Sequence, residues 1–314
     1  MSFLGVHVTR MPREGDRKAG RRGRAEALAA DWPGSKRNRS RGEFFLVCAN
    51  PLCGSEWLRL WRRRDRPVFE GGWCCSRECL AAQVRAAVSR AMEGRGAPES
   101  YRHRIPLGLA MLEAGWITET GLRAALAAQR ATGTGRLGFW LMRQRRATEE
   151  QVTRALGMQW SCPVLGMGLG HPEALAALAP RFFVDAFGAL PLRVAADRIL
   201  YLGFEERPDP SLSLAVERIT GLRVESGVVE ESLFRSAHER MLEARFPAVE
   251  LVEAAGETAL AATMATAVQR LRPVEARLAR VHDCLWLRMW LRLQRGPVPD
   301  HGSVVDLIAV FARQ

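Results

Sequence analysis

The stretch whose reading decides the fold is GTGRLGFWLMRQ, Gly133 to Gln144. Its first six residues spell G-x-G-x-x-G, the fingerprint of a loop that cradles a dinucleotide. Such a loop must follow a β-strand and open a helix. What precedes Gly133 is TETGLRAALAAQRAT, with Leu122, Leu126 and Gln129 at helical spacing. That pattern predicts a helix, so the context for a dinucleotide loop is missing. The Lys-Ser/Thr ending of a P-loop is missing too.

Displacing the chain by thirty residues gives the glycines another origin. Leu107 and Gly108 fall on Leu137 and Gly138, and Met111 and Leu112 on Leu141 and Met142. Leu122 falls on Val152, Leu126 on Leu156, and Gln129 on Gln159. Self-similarity at a fixed period marks a repeated structural unit. Each copy predicts a short helix, a turn and a longer helix. Gly115 suits the left-handed stop of the first short helix. Thr118 and Thr148 suit N-caps, and Thr148 with Gln151 spells a capping box.

In these residues the chain resembles the N-terminal domain of type II secretion and type IV pilus ATPases, the MshE-type domain that binds cyclic di-GMP. That family carries two tandem motifs, R-L-G-x-x-Φ-Φ-x-x-G-Φ-Φ-x-x-x-x-L-x-x-x-L-x-x-Q, with Φ apolar. Both copies match in register, and the likeness runs over about residues 101 to 245. It implies a cyclic di-GMP site made of Arg104, Leu107, Gly108, Met111, Leu122, Leu126, Gln129, Arg136, Leu137, Gly138, Leu141, Val152, Leu156 and Gln159. The chemistry is consistent from below. Arg136 can pair with a phosphate and stack on a base. Gly108 and Gly138 lack a Cβ and would let a ligand approach the backbone. Leu107, Leu126, Leu137 and Leu156 would supply an apolar floor for purines. Gln129 and Gln159 offer donor and acceptor to a guanine edge. The first copy departs from the family at Pro106, where Arg is usual; Arg104 lies two residues earlier. The second departs at Arg145, where Gly is usual, and at Arg146-Ala147, where two apolar residues are usual. The spacing alone also fits two packed helical hairpins that hold no ligand.

A second constellation lies upstream. Five of the seven cysteines fall between Cys48 and Cys79. Cys48 with Cys53, and Cys75 with Cys79, each bracket a tight turn, and four thiolates on two turns can enclose a structural Zn2+. The piece WCCSRECL resembles the second knuckle of treble-clef zinc fingers, with the last ligand in the first turn of a helix. Cys74 competes with Cys75; the spacing to Cys79 favours Cys75. Reduced structural cysteines or a disulfide are the competing explanations. Between the pairs, a β-hairpin carrying Trp57, Leu60 and Val68 is expected. A helix with Leu80, Val84, Val88 and Met92 on one face should follow.

With 314 residues, 47% of them apolar, the chain can bury a core. Its net charge of +12 raises nucleic acid as a partner. The positive residues are nearly all Arg, with Lys only at Lys18 and Lys36, and the net positive charge concentrates before residue 42. Residues 1–42 are predicted to be a disordered basic tail, too poor in apolar surface to fold. No apolar run is long enough for a membrane span, and no secretory signal is visible, so no membrane insertion and a cytoplasmic protein are expected.

The fold class expected is α+β. A zinc-binding module at 43–93 precedes the tandem helical repeat at 101–168 and a small α/β layer at 169–247. A C-terminal helix and β-hairpin should occupy 253–314. In that hairpin Leu285, Leu287, Met289, Leu291 and Leu293 alternate with Trp286, Arg288, Trp290 and Arg292, which predicts a half-buried strand with a Trp/Arg face open to solvent or a partner. No catalytic motif is present, so a non-enzymatic regulator or adaptor is expected, binding cyclic di-GMP and linked to a secretion or pilus assembly protein. A ligand-free protein-interaction module and a zinc-containing nucleic-acid-binding protein are the alternatives.

Overall fold

The structure, a computed structural model, describes residues 45–58, 68–93, 104–166, 168, 171–254 and 256–311, and it is α+β. All of them belong to the unit Phe44–Gln314. The basic tail 1–42 and Leu60 lie outside the described residues. Strand β1 (Phe45–Val47) pairs antiparallel with β2 (Glu56–Leu58), and β3 (Val68–Phe69) with β4 (Gly72–Trp73). The single hairpin expected between the cysteine pairs is therefore two, because β2 turns back across the first pair onto β1. Helix α1 (Arg77–Glu93) follows, burying Leu80, Val84 and Val88 at the predicted spacing.

Four helices then recur at the period found in the sequence. α2 (Leu107–Glu113) and α3 (Glu119–Thr132) are followed by α4 (Leu137–Arg143) and α5 (Glu149–Trp160). Thr118 and Thr148 accept from the backbone N–H three residues on, and the Thr148–Gln151 capping box is complete. Gly115 turns the first short helix at φ 69°, and Arg145 does the same work at φ 54°. The left-handed region costs a residue with a Cβ about 1 kcal/mol, so the second turn is held by its surroundings. Those include the Arg146 N–H donating to Leu141 O, as the Trp116 N–H donates to Met111 O in the first copy. Ala110, Met111, Ala125, Leu141 and Ala155 form the centre of this bundle with no exposed surface.

After a 3-10 helix (Pro172–Leu178) and the short α6 (Arg181–Ala186), three strands form a small sheet. β5 (Ala189–Ala195) runs antiparallel to β6 (Ile199–Phe204), and β6 parallel to β7 (Arg223–Val228). The parallel crossover is α7 (Pro210–Thr220), capped by Asp209 and stopped by Gly221 at φ 75°. α8 (Glu231–Glu243) completes the layer. The repeat docks on β7, through a bridge between Val164 and Val228.

The C-terminal part is more extensive than a helix and a hairpin. Strand β8 (Ala248–Ala254), helix α9 (Glu257–Leu271), and strands β9 (Glu275–Val281), β10 (Cys284–Trp290) and β11 (Val304–Phe311) build one six-stranded sheet together with the N-terminal hairpin. Its order is β4-β3-β9-β10-β11-β8. Segments 43–93 and 253–314, expected as separate units, are thus one: β3 runs parallel to β9, and α1 packs on α9. Leu278, Leu285, Leu287, Met289 and Leu307 face the two helices. Val281, Trp286, Trp290 and Ile308 face the small α/β layer, in one core with Leu178, Phe183 and Leu202.

The Trp/Arg face of β10 is therefore not a solvent or partner surface; every residue of the strand is buried. Arg288, fully buried, donates through Nε and Nη2 to Asp306 Oδ1 and Oδ2, both at 2.8 Å. Its Nη1 donates to the carbonyls of Ala177 and Leu178 at 2.9 and 2.8 Å. Trp286 Nε1 adds a third donor to Asp306, at 2.7 Å. An alternating apolar/polar sequence reads as half-exposed, but here the polar member satisfies itself within the core. Removing one partner of such a pair leaves a buried charge uncompensated, at about 3–5 kcal/mol. Asp306→Ala is expected to lose stability on that scale in urea denaturation, whereas a loss under about 1 kcal/mol would mean that the pair does not hold the sheet.

Candidate functional site

Two sites emerge from this framework. In the first, Cys48, Cys53, Cys75 and Cys79 bring their Sγ atoms within 4.8 Å of one another. Local turns do this. The Cys53 amide donates to Asn50 O at 3.0 Å and the Leu52 amide to Asn50 Oδ1 at 3.1 Å, which curls the first knuckle. The Cys75 amide donates to Cys48 Sγ and Asn50 Nδ2 to Cys79 Sγ, both at 3.4 Å. The Cys79 amide donates to Ser76 Oγ at 3.2 Å, fixing the start of α1. Zn–S bonds of about 2.3 Å in a tetrahedron put sulfurs about 3.8 Å apart; here Cys53 and Cys75 lie 3.3 Å apart and Cys75 and Cys79 3.6 Å, so small shifts in both directions would enclose the ion. Hydrogen bonding, first by Ser55 and then by Cys75, draws the Cys53 thiol down to about 6. Burial, then its bond with Cys53, pushes Cys75 up to about 12. Metal binding here would release the thiol protons. Cys74 lies apart in the core beneath, where burial raises it to about 12.

The second site is a groove of about 300 Å³ between the repeat and the small α/β layer. Leu107, Gly138, Val152 and Leu156 line it together with Phe139 and Met142. Arg136, the residue before α4, stands at its rim. So do Glu205 and Glu206, which leave the end of β6, and Glu231 and Arg235 of α8. Arg136 forms an ion pair with Glu206 and another with Glu205 at 3.7 Å. Arg235 bridges Glu205 at 3.2 Å and Glu231 at 2.5 Å. Glu149, at the start of α5, accepts from the Ser232 amide at 2.6 Å and hydroxyl at 2.9 Å, tying α5 to α8. Glu205 and Glu206 sit in the bend that follows β6. Their position opposite Arg136 depends on docking between distant segments and left no trace in the repeat pattern.

Of the expected cyclic di-GMP residues, the groove gathers Leu107, Arg136, Gly138, Val152 and Leu156. Met111 and Leu141 are instead fully buried in the bundle core and present no surface to a ligand. Leu122 and Leu137 pack against that core, and Leu126 and Gln159 are half-buried. The two glycines of the L-G dipeptides also meet a packing need. A Cβ on Gly108 would stand 2.7 Å from Leu122, and one on Gly138 2.7 Å from Val152. Both positions let a short helix approach the longer helix of its own copy. Gln129 Nε2 donates to Gly135 O at 2.9 Å and shapes the loop beside Arg136 rather than facing outward. The Arg104 guanidinium lies 4.6 Å from the Trp160 ring, and that of Arg207 lies 5.4 Å from the same ring.

No protein-family model matches the chain, and no curated protein matches it. Among solved structures, 44% of the chain is similar to 99% of the structure of MshE with cdg, at 26% identity and a TM-score of 0.34. The N-terminal domain of XpsE is similar in two crystal forms. One covers 46% of this chain and 98% of that domain, at 23% identity and a TM-score of 0.32. The other covers 42% and 90%, at 24% identity and a TM-score of 0.24.

Proposed function

We propose that the chain is a non-enzymatic, cytoplasmic regulator or adaptor that binds cyclic di-GMP in the groove over its repeat and is linked to a type II secretion or type IV pilus assembly. One observation carries this: Leu107 and Gly138, members of the two L-G dipeptides, border one groove with Arg136 at its rim. Half-buried Leu107 and Leu156 with exposed Phe139 offer apolar surface to purines. Arg136 offers a planar fork to phosphate. The doubled motif and its resemblance to the MshE-type domain support cyclic di-GMP as the ligand. No helix among the described residues is long and apolar enough to cross a membrane.

The four cysteines act in this proposal as a structural zinc clasp. Four thiolates leave no coordination position for a reacting water. The ion would clamp the β1–β2 turn to α1, whose other face rests on the six-stranded sheet. A second function, docking of a partner protein without any nucleotide, is favoured by one specific feature. The groove carries Glu149, Glu205, Glu206 and Glu231 against Arg136 and Arg235, a net acidity that suits a basic partner segment. Nucleic-acid binding loses the support of the Trp/Arg face, which is buried.

Calorimetric titration with cyclic di-GMP should give saturable binding that Arg136→Ala weakens by about 10- to 100-fold, the worth of a charge-assisted bond. Absence of binding by the unmodified protein would leave the partner-docking function. Elemental analysis of the purified chain should find one zinc per molecule, lost together with thermal stability in Cys48→Ser and Cys79→Ser; zinc-free protein with unchanged melting would remove the clasp.

A further inference from the structure

The rim of the groove holds an alternating chain of charges, Glu206–Arg136–Glu205–Arg235–Glu231. It crosses from the repeat, which supplies Arg136, to the α/β layer, which supplies the rest. Its members are not equivalent. Glu205 is shared by Arg136 and Arg235, so it cannot leave without breaking two pairs. Glu206 is the terminal member, and among the described residues it has no partner besides Arg136. It is also the more exposed of the two acids, at 43% against 23% for Glu205. A carboxylate so placed can turn into water at little cost.

We infer that Glu206 is an exchangeable stand-in for phosphate: it occupies Arg136 until an anionic ligand displaces it. This rests on the groove being the nucleotide site. The physical reason is competition for one guanidinium. Arg136 can present its planar edge to a carboxylate or to a phosphate, and the two anions repel each other at that distance. Ligand entry therefore exchanges one ion pair for another. It also loosens the start of α4 from the turn after β6, where, of the ion pairs among the described residues, the 3.7 Å pair with Glu205 would remain. Glu206 thereby sets the affinity threshold of the site, and it makes ligand binding loosen a contact between the repeat and the α/β layer. The doubled motif contains no such element; the acid comes from outside it.

The test is calorimetry with cyclic di-GMP on the full chain, Glu206→Gln, Glu206→Asp, Arg136→Ala and the double variant Arg136→Ala/Glu206→Gln. Glu206→Gln should bind about threefold to tenfold tighter than the unmodified chain, the scale of a half-exposed ion pair beside a dianion. Glu206→Asp, which keeps the charge, should stay near the unmodified affinity. The double variant should show no gain over Arg136→Ala. Tighter binding that also appears in the double variant would overturn the exchange, because it would not pass through Arg136. Equal or weaker binding by Glu206→Gln, with binding by the unmodified chain intact, overturns the exchange and leaves the nucleotide site standing. Failure of both unmodified chain and Glu206→Gln to bind overturns the two together.

Discussion

Arg288 and Asp306 face each other on neighbouring strands in the middle of a sheet that is covered on both sides, and much of the molecule is organised by how they are satisfied. The guanidinium has donors left over after it has gripped the carboxylate, and these reach the carbonyls of Ala177 and Leu178. That fixes the 3-10 helix against the sheet. The 3-10 helix packs on β5 and α8, so the small α/β layer is tied to a charge buried in the core. The layer in turn delivers Glu205, Glu206 and Arg235 to the rim facing Arg136. A buried ion pair is a weak source of net stability but can select one arrangement among several. Here its spare donors hold the 3-10 helix, and with it the layer that forms one wall of the groove, to one face of the sheet.

Much of the local structure was legible in the sequence. The thirty-residue period, the N-caps at Thr118 and Thr148, and the turn positions Gly115 and Arg145 all depend on residues within one turn of each other. Helix and cap chemistry is local, so sequence spacing carries it. The four cysteines were legible for the same reason: two short knuckles and a helix start are local objects, and the choice of Cys75 over Cys74 followed from the knuckle spacing. What escaped were pairings between remote segments. Nothing near Phe69 announces that its strand will run beside Ala276. Nothing in the alternation of β10 distinguishes a solvated Arg from one that finds an aspartate on the next strand. Close helix approach at Gly108 and Gly138 demands the same residue that ligand access would, so their recurrence alone does not separate the two reasons.

The groove itself combines what a nucleotide needs with something that opposes it. Apolar surface and a guanidinium lie together where the two copies of the repeat meet. Around them stands a ring of acids contributed by the α/β layer and by α5. Fixed negative charge at the mouth of a site weakens anion binding at low ionic strength and does so less as salt screens it. A site built in this way exposes an ionic contact between two parts of the fold to whatever occupies it. Glu205, Glu206 and Glu231 of the rim come from the α/β layer, whereas the apolar floor comes from the repeat, so these acids can change while the floor keeps its packing.

The most direct measurement is a crystal structure of the full chain grown with cyclic di-GMP. The ligand should lie along Leu107, Gly138 and Leu156, with one phosphate on the Arg136 guanidinium and Glu206 turned away from it. Density for the nucleotide elsewhere on the chain, or a groove still closed by the Arg136–Glu206 pair at saturating ligand, would contradict the account.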